Sequence, residues 1–335
     1  MKTIQTLVVT IVVIVLLSGD INAQYSNLGS SGAQFLEIPV GARAAGLGGA
    51  YMGLADDVNS VFWNPAGITK IRGTAASFSY MNWFDLFDHN SAAISFDLDD
   101  IGSIAVHTRI FSMEKVEITT EQDPNGTGRF FDAQDVAIGV TYARNLSEQF
   151  SVGITAKYVG LRIWNETASG IAFDVGTQYK LDFSNMVIAM SMSNFGADMQ
   201  FDGEDLNITY DKDDDLPKNR LTPARYSTEE FPLPLSFQVG IAFDLFKTEY
   251  VSMKGAIDAV HPNDNNERVN LGGELNFFDR VFLRGGYRYN YDDEGITFGA
   301  GANVPLETTW LQFDYGYAVY DILPSVHRIT MGIKF

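Results

Sequence analysis

An all-β, transmembrane antiparallel outer-membrane β-barrel of about fourteen strands, preceded by a short, partly helical N-terminal segment, is the fold the sequence predicts. Three observations lead to it: an export signal, a long series of period-two segments with one apolar face, and a last strand that stops on Phe335. No segment after the signal approaches the roughly 18 consecutive apolar residues of a membrane helix. Any crossing of a bilayer must then be made by strands.

The first 23 residues carry Lys2, an apolar run from Leu7 to Leu17 broken only by Thr10, and small or polar residues up to Ala23. That pattern reads as a secretory signal, too short to span, with cleavage expected after about Ala23. With no Cys in the chain, neither a disulfide nor a lipid-anchored cysteine is available, so stability has to come from packing and hydrogen bonding. The formal charge of −19 argues against nucleic acid as a partner, because phosphate binding needs a basic surface. The expected organisation is a signal peptide over 1–23, a hatch over 24–73 and a barrel over 74–335, located in the cell outer membrane.

The hatch contains the one helical pattern, "ADDVNSVFWNPAGIT", from Ala55 to Thr69. Asp56 or Asp57 can cap a helix, and Val58, Val61 and Phe62 fall on one face. Asn64 precedes Pro65 and should end the turn; Pro65 can start another, with Gly67 releasing the chain toward the first strand. So short an apolar stripe needs a host. The expectation is a plug against the periplasmic side of a barrel lumen, marked by Asp56, Asp57, Trp63, Asn64, Pro65, Ala66 and Gly67. Just upstream, "GLGGAYMG" from Gly46 to Gly53 is not a dinucleotide fingerprint, since Tyr51 replaces its third glycine and no strand-turn-helix unit surrounds it. Tight turns and close backbone approach are the better reading.

The strands follow in order, near 74–84, 90–98, 102–112, 134–144, 149–163, 169–180, 186–194, 234–244, 249–259, 267–277, 281–290, 294–303, 308–319 and 326–335. Val136, Ile138, Val140 and Tyr142 alternate with Ala137, Gly139, Thr141 and Ala143; such a segment puts one face in an apolar medium. The strand ending near Ile163 changes phase around Gly160, as a bulge would make it do. Connections alternate between a uniformly short set and one that includes 113–133 and the long loop 195–233, the arrangement of outer-membrane barrels. Trp83, Phe84, Trp164, Trp310, Tyr287, Tyr289, Tyr315 and Tyr317 stand near strand ends, where interfacial girdles form. The closing "HRITMGIKF" alternates Ile329, Met331, Ile333 and Phe335 with Thr330, Gly332 and Lys334, a terminal strand with an apolar outer face. A soluble β-sandwich or propeller with aromatic core residues is the competing fold, and it does not account for this closing strand or the signal.

Chemistry is sparse. A hydrolase would need a nucleophile beside a His and an acid, and the nearest candidate, Asp258 with His261 at an outer loop, reads as solvated loop residues. No catalytic residue, cofactor or metal site is expected. "DKDDD", Asp211 to Asp215, has calcium-like spacing, but Leu216 stands where an EF-hand needs glycine, which leaves divalent binding by that loop undecided. The strand phase turns His107, Arg109, Lys157, Asp174, Glu274, Arg284, Arg288 and Asp314 inward. They could conduct polar solutes or pair across a filled interior.

The stretch from Phe35 to Thr69, with Gly41-Ala42-Arg43, Gly46 to Ala50, Asp56-Asp57 and Trp63 to Gly67, resembles the start of the PorV/PorQ family, which belongs with FadL-type barrels. "SNFGADMQF" from Ser193, "DAVHP" from Asp258 and "RGGYRYNYDDEGITFGAG" from Arg284 extend the resemblance over the chain. It implies a fourteen-stranded barrel with the N-terminal segment in or under it, embedded in outer-membrane lipid. It also implies one of two roles. The barrel would work in type IX secretion, with secretion components and cargo C-terminal signal domains as partners, or as a FadL-like channel taking up a hydrophobic small molecule. The loop 195–233, with ten Asp or Glu against four Lys or Arg, favours a protein-recognising surface, its Phe201, Tyr210, Tyr226 and Phe231 being scattered among charges.

Overall fold

The structure, a computed structural model, describes residues 28–210 and 222–335; the expected signal peptide and the Asp211–Leu216 stretch lie outside the described residues. The wall consists of β1 (Thr74–Trp83), β2 (Phe87–Asp97), β3 (Ser103–Met113), β4 (Ala133–Asn145), β5 (Phe150–Ile163), β6 (Glu166–Lys180) and β7 (Val187–Gly196). After the long loop it continues with β8 (Ser236–Lys247), β9 (Val251–Pro262), β10 (Arg268–Phe277), β11 (Val281–Tyr289), β12 (Glu294–Leu306), β13 (Thr309–Tyr320) and β14 (Val326–Lys334). Each strand pairs antiparallel with the next, and β14 returns to β1 in register from Ala75 with Lys334 to Met81 with Arg328. Closure leaves the wall without an unpaired edge, the condition for strands to stand in hydrocarbon.

The alternation in sequence becomes an inside and an outside. On β4, Ile138 and Val140 are 50% and 54% exposed, whereas Ala137 and Thr141 on either side of them are 1% and 0% exposed. The apolar set faces outward and the small and polar set faces in. A water-soluble sandwich would do the opposite, so the outer face is built for lipid. A one-residue slip would reverse every side chain. Accordingly, Arg284→Cys, whose position lines an aqueous cavity of about 460 Å³, is expected to react with a small charged thiol reagent, and Ile138→Cys to stay protected until the membrane is dissolved. The reverse pattern would mean that the register is wrong.

Two expectations are corrected. The pairing of β5 with β4 runs unbroken from Ala133 with Ile163 to Asn145 with Ser151, so no bulge exists at Gly160. The phase change is a matter of covering: a side chain at Gly160 would meet the Tyr158 ring at 3.1 Å. Register shifts fall instead between Phe173 and Val175, Asp244 and Phe246, and Glu294 and Thr297. In the girdles, Tyr287, Tyr289 and Tyr315 are exposed on the outer face, whereas Trp310 has the inward phase of Gln312 and Asp314 and borders the periplasmic cavity. Trp83 and Phe84 instead pack on the Tyr320 ring at 6.0 and 5.1 Å and line the lumen, while Trp164 occupies the β5–β6 turn with Arg129 5.6 Å from its ring centre.

Six tight connections, from 98–102 to 307–308, lie at one end, the periplasmic end by the rule for such barrels. The loops 114–132 and 197–235 lie at the other. The long loop folds back over the mouth: Phe201 and Phe231 stack at 5.6 Å and pack on a cluster with Phe35, Leu36, Val159 and Leu161. Only Tyr210 and Tyr226 of its four aromatics are exposed among charges.

Candidate functional site

The N-terminal segment runs the length of the lumen. At the large-loop end, Gly32 donates its N–H to the Pro232 carbonyl at 3.0 Å, and Ser31 and Gln34 both hydrogen-bond the Asp264 carboxylate. A 3-10 turn, Gln34–Leu36, buries Phe35 and Leu36. The chain then descends through α1 (Ala42–Gly46) and two further 3-10 turns, Val58–Phe62 and Pro65–Lys70, before entering β1 at the opposite end.

The local chemistry of the lower turns follows the sequence closely. Asp57 caps the first by accepting from the Asn59 N–H at 2.8 Å, and Asn64 caps the second by accepting from Ala66 N–H at 3.1 Å, with Pro65 as its first residue. Val58 and Val61 bury their side chains against Ile68, Ile71 and the barrel residues Ala75, Ala93, Ala105 and Ala143. Such apolar burial contributes about 1.5–3 kcal/mol for each large side chain. Gly67 does not release the chain: a side chain there would meet the Ala55 carbonyl at 2.6 Å and Ser60 at 2.7 Å. Release falls to Gly73, whose φ of 75° favours glycine.

Further up, side chains of the wall satisfy the segment's backbone, which would otherwise be buried without partners. Thr330 accepts from the Ala42 N–H at 2.9 Å, and Asp258 accepts from the Tyr51 and Met52 N–H groups at 2.7 and 2.8 Å. Gln178 donates to the carbonyls of Met52 and Ala55 at 3.0 Å each and Arg288 to that of Gly48 at 3.2 Å; in the opposite sense, the segment's Asn64 side chain donates to the wall carbonyl of Thr177 at 3.0 Å. The glycines of "GLGGAYMG" let the two backbones touch. A side chain at Gly46 would lie 2.8 Å from the Gly299 Cα, and one at Gly48, where φ is 66°, would lie 2.9 Å from the Tyr287 nitrogen.

All eight inward candidates lie buried on the inner face, and they sort into groups. Glu274, Arg284 and Asp314 form one chain of charge: Arg284 donates to Glu274 at 2.8 Å and to Asp314 at 2.6 Å. Arg43 from the segment completes it, donating to Glu274 through two nitrogens at 2.8 and 3.0 Å and to Asp56 and Asp57 at 2.5 and 3.0 Å. In the second group Lys157 bridges to Asp174 at 2.7 Å and to Asn194 at 2.6 Å. Arg288 pairs with Glu294. Arg109 donates to the Leu36 carbonyl at 2.7 Å beneath the Phe62 ring, which His107 meets edge-on at 5.0 Å. Asp56, Asp57, Asn64 and Pro65 to Gly67 thus hold the lower segment to itself and to the wall. Trp63 anchors it internally, its indole donating to Val40 at 2.9 Å.

Sequence reasoning left Arg43, Asn194 and Asp258 without these roles. Arg43 stands in the quoted Gly41-Ala42-Arg43 and carried a signal, since an arginine followed by two adjacent carboxylates in an otherwise apolar segment requires partners. Asp258 is wholly buried inside β9, not in a loop, whereas His261 lies on the exposed face with Glu267. Three residues apart on a strand they point to opposite sides and form no dyad.

The segment leaves two aqueous cavities, one of about 460 Å³ beside Arg43 and Asp56 toward the periplasmic end and one of about 360 Å³ toward the outer mouth. Glu37 borders the outer one. Burial, with the Asp264 charge against it and only Arg268 opposing, pushes its carboxyl up from 4.5 to about 7. A protonated carboxyl is therefore favoured by the packed mouth. Its contribution to packing is complete below pH 4.5 and is lost as pH rises through about 7. Thiol labelling of Ser31→Cys should accelerate across that window, and Glu37→Gln should flatten the profile; parallel profiles would refute the assignment.

The sequence profile of the family described as type IX secretion system protein PorV matches residues 21–257. Comparison with curated proteins finds no match. Among solved structures, the toluene transporter TodX of Pseudomonas putida is similar with a TM-score of 0.55 at 11% identity, over 88% of this chain and 96% of that one. A Pseudomonas aeruginosa FadL homologue gives 0.55 at 10% identity, over 89% and 98%. The Ralstonia pickettii toluene transporter TbuX gives 0.52 at 11% identity, over 88% and 97%. At such identities the likeness is one of fold. The profile match over most of the chain and the closed fourteen-stranded wall place this protein in the PorV family, on a FadL-like outer-membrane barrel.

Proposed function

We propose that the protein is a non-enzymatic component of type IX secretion that binds or escorts cargo bearing a C-terminal signal domain at the cell surface. Its N-terminal segment, residues 24–73, acts in this reading as a fixed hatch. The observation that carries it is the filled lumen: wall side chains from several strands hydrogen-bond the segment's backbone from Ala42 to Ala55. A barrel so filled suits work done at its outer surface. There the loop hairpin of Asn207–Tyr210 with Thr222–Arg225 presents exposed Tyr210 and Tyr226 among carboxylates, the mixture of aromatic and charged groups that protein interfaces use. Affinity purification of the intact barrel from its own membranes should recover secretion components or signal-bearing cargo. Recovery of neither would reject the role.

A second reading, a FadL-like channel for hydrophobic molecules, has one observation in its favour. The outer cavity is bordered by Trp83, Phe84, Phe62 and Tyr320, an aromatic lining that an apolar solute would wet poorly and bind well. Deleting the gene should then slow growth on long-chain fatty acid or aromatic substrates; unchanged growth would exclude that role.

A further inference from the structure

On the inner face of β14, β1, β2 and β3, two arginines, Arg328 and Arg109, hold no carboxylate among the described residues. Arg328 is fully buried, and among the described residues no carboxylate lies within ion-pair distance of its guanidinium. The Tyr320 hydroxyl gives its proton to Glu294 at 2.7 Å and turns its oxygen toward the guanidinium, a neutral acceptor that brings no charge of its own. The guanidinium instead lies 5.7 Å from the centre of the Trp83 ring. Met81 pairs with Arg328 on one side and His89 on the other, so the three share a row, and Ser91 with Arg109 continues it one pair lower. His89 Nε2 and Ser91 Oγ are buried without partners, and His89 feels the charges of both Arg109 and Arg328. Among the described residues Arg109 meets the Leu36 carbonyl and the Phe62 ring and has no carboxylate within ion-pair distance, the Asp174 charge acting on it from farther off. The other lumen arginines differ: Arg43, Arg284 and Arg288 each hold a carboxylate.

Leaving a buried charge without a counter-charge is costly, so two such guanidiniums on one patch mean that the balancing charge is meant to arrive from outside the chain. Guanidinium forks, an imidazole and a hydroxyl are donors suited to a tetrahedral or planar oxyanion. Trp83 and Arg109 border the outer cavity of about 360 Å³, and Arg328 and His89 lie behind that lining, so an anion enters from the outer mouth beside Arg109 and the Trp83 ring that Arg328 faces. We propose that Arg328, Arg109 and His89 form an oxyanion-binding site in the outer half of the lumen, taking a phosphate or carboxylate group that is either free or the head of an amphiphile. The site does not depend on which of the two roles above the barrel performs.

The test uses the full chain in neutral detergent micelles, with thermal unfolding and calorimetric titration as readouts. Inorganic phosphate and dodecyl phosphate are the probes, and dodecyl maltoside is the uncharged control. Wild type should bind at least one anionic probe and unfold at higher temperature with it, while Arg328→Met and Arg109→Met should bind roughly tenfold or more weakly. Arg328→Lys should keep part of the affinity, which separates lost binding from lost fold. In anion-free buffer Arg328→Met should unfold no earlier than wild type, because it removes an unpaired charge. Binding of inorganic phosphate would identify a free oxyanion, and binding of dodecyl phosphate alone a headgroup. No binding of either, equal affinity in Arg328→Met, or marked destabilisation of Arg328→Met without anion would overturn the site.

Discussion

Replacing Arg43 by alanine is expected to unlock the hatch and raise single-channel conductance in planar bilayers well above the wild-type level. Arg43 ties the segment to the wall through buried charge, spanning Asp56 and Asp57 on one side and Glu274 on the other. Its removal takes a cation from three carboxylates, of which Glu274 on β10 keeps Arg284 while Asp56 and Asp57 lose the guanidinium they share, and breaking a buried pair from one side costs about 3–5 kcal/mol. The strain is relieved if the lower segment moves away and admits water. Deleting residues 55–67, which includes the two 3-10 turns' apolar contacts, should open the lumen further. Arg43→Lys should fall between, because an ammonium cannot reproduce the two-nitrogen grip on Glu274. Conductance unchanged in both the alanine variant and the deletion would sink the hatch role and leave the segment as scaffolding.

Much of the wall was legible because each strand reports its own two faces. Ile138 and Val140 against Ala137 and Thr141 need no distant partner to be understood, and fourteen such patterns with tight turns between them define a closed sheet. The caps Asp57 and Asn64 were legible for the same reason: they act on backbone two residues away. What stayed hidden depends on contacts across the lumen. Asp258 looks like a loop acid until Tyr51 and Met52 supply N–H groups from more than two hundred residues away. Trp83 and Phe84 look like girdle residues until Tyr320 draws them inward. The depth of the segment was hidden too. Its lower turns announce a plug for the periplasmic side, but Ser31 and Gln34 reach Asp264 at the outer mouth, and nothing local in residues 31–38 encodes that span.

The largest stability effect is expected at Lys157. Its ammonium meets both oxygens of Asp174 at 2.7 and 2.8 Å and the Asn194 side chain at 2.6 Å, all three residues being buried. Asp174 in turn accepts from the Asn194 N–H at 2.7 Å, where β7 turns to φ 65° and its pairing with β6 slips between Phe173 and Val175. Lys157→Met should therefore cost about 3–5 kcal/mol, because Asp174 is left charged and buried with only amide donors. Asp174→Leu should cost a similar amount for the mirror reason. The double variant Lys157→Met with Asp174→Leu should recover much of the loss, since no buried charge remains, and the difference measures the coupling. Local consequences should accompany the global one: freeing Asn194 loosens the strand that leads into loop 197–235, so limited proteolysis of that loop should quicken in the single variants. Urea unfolding in micelles, read by the heat-modifiable shift on gels, gives the free energies. Single variants that each cost under about 1 kcal/mol would show that water reaches this pair and that the outer half of the lumen is wetter than its packing implies.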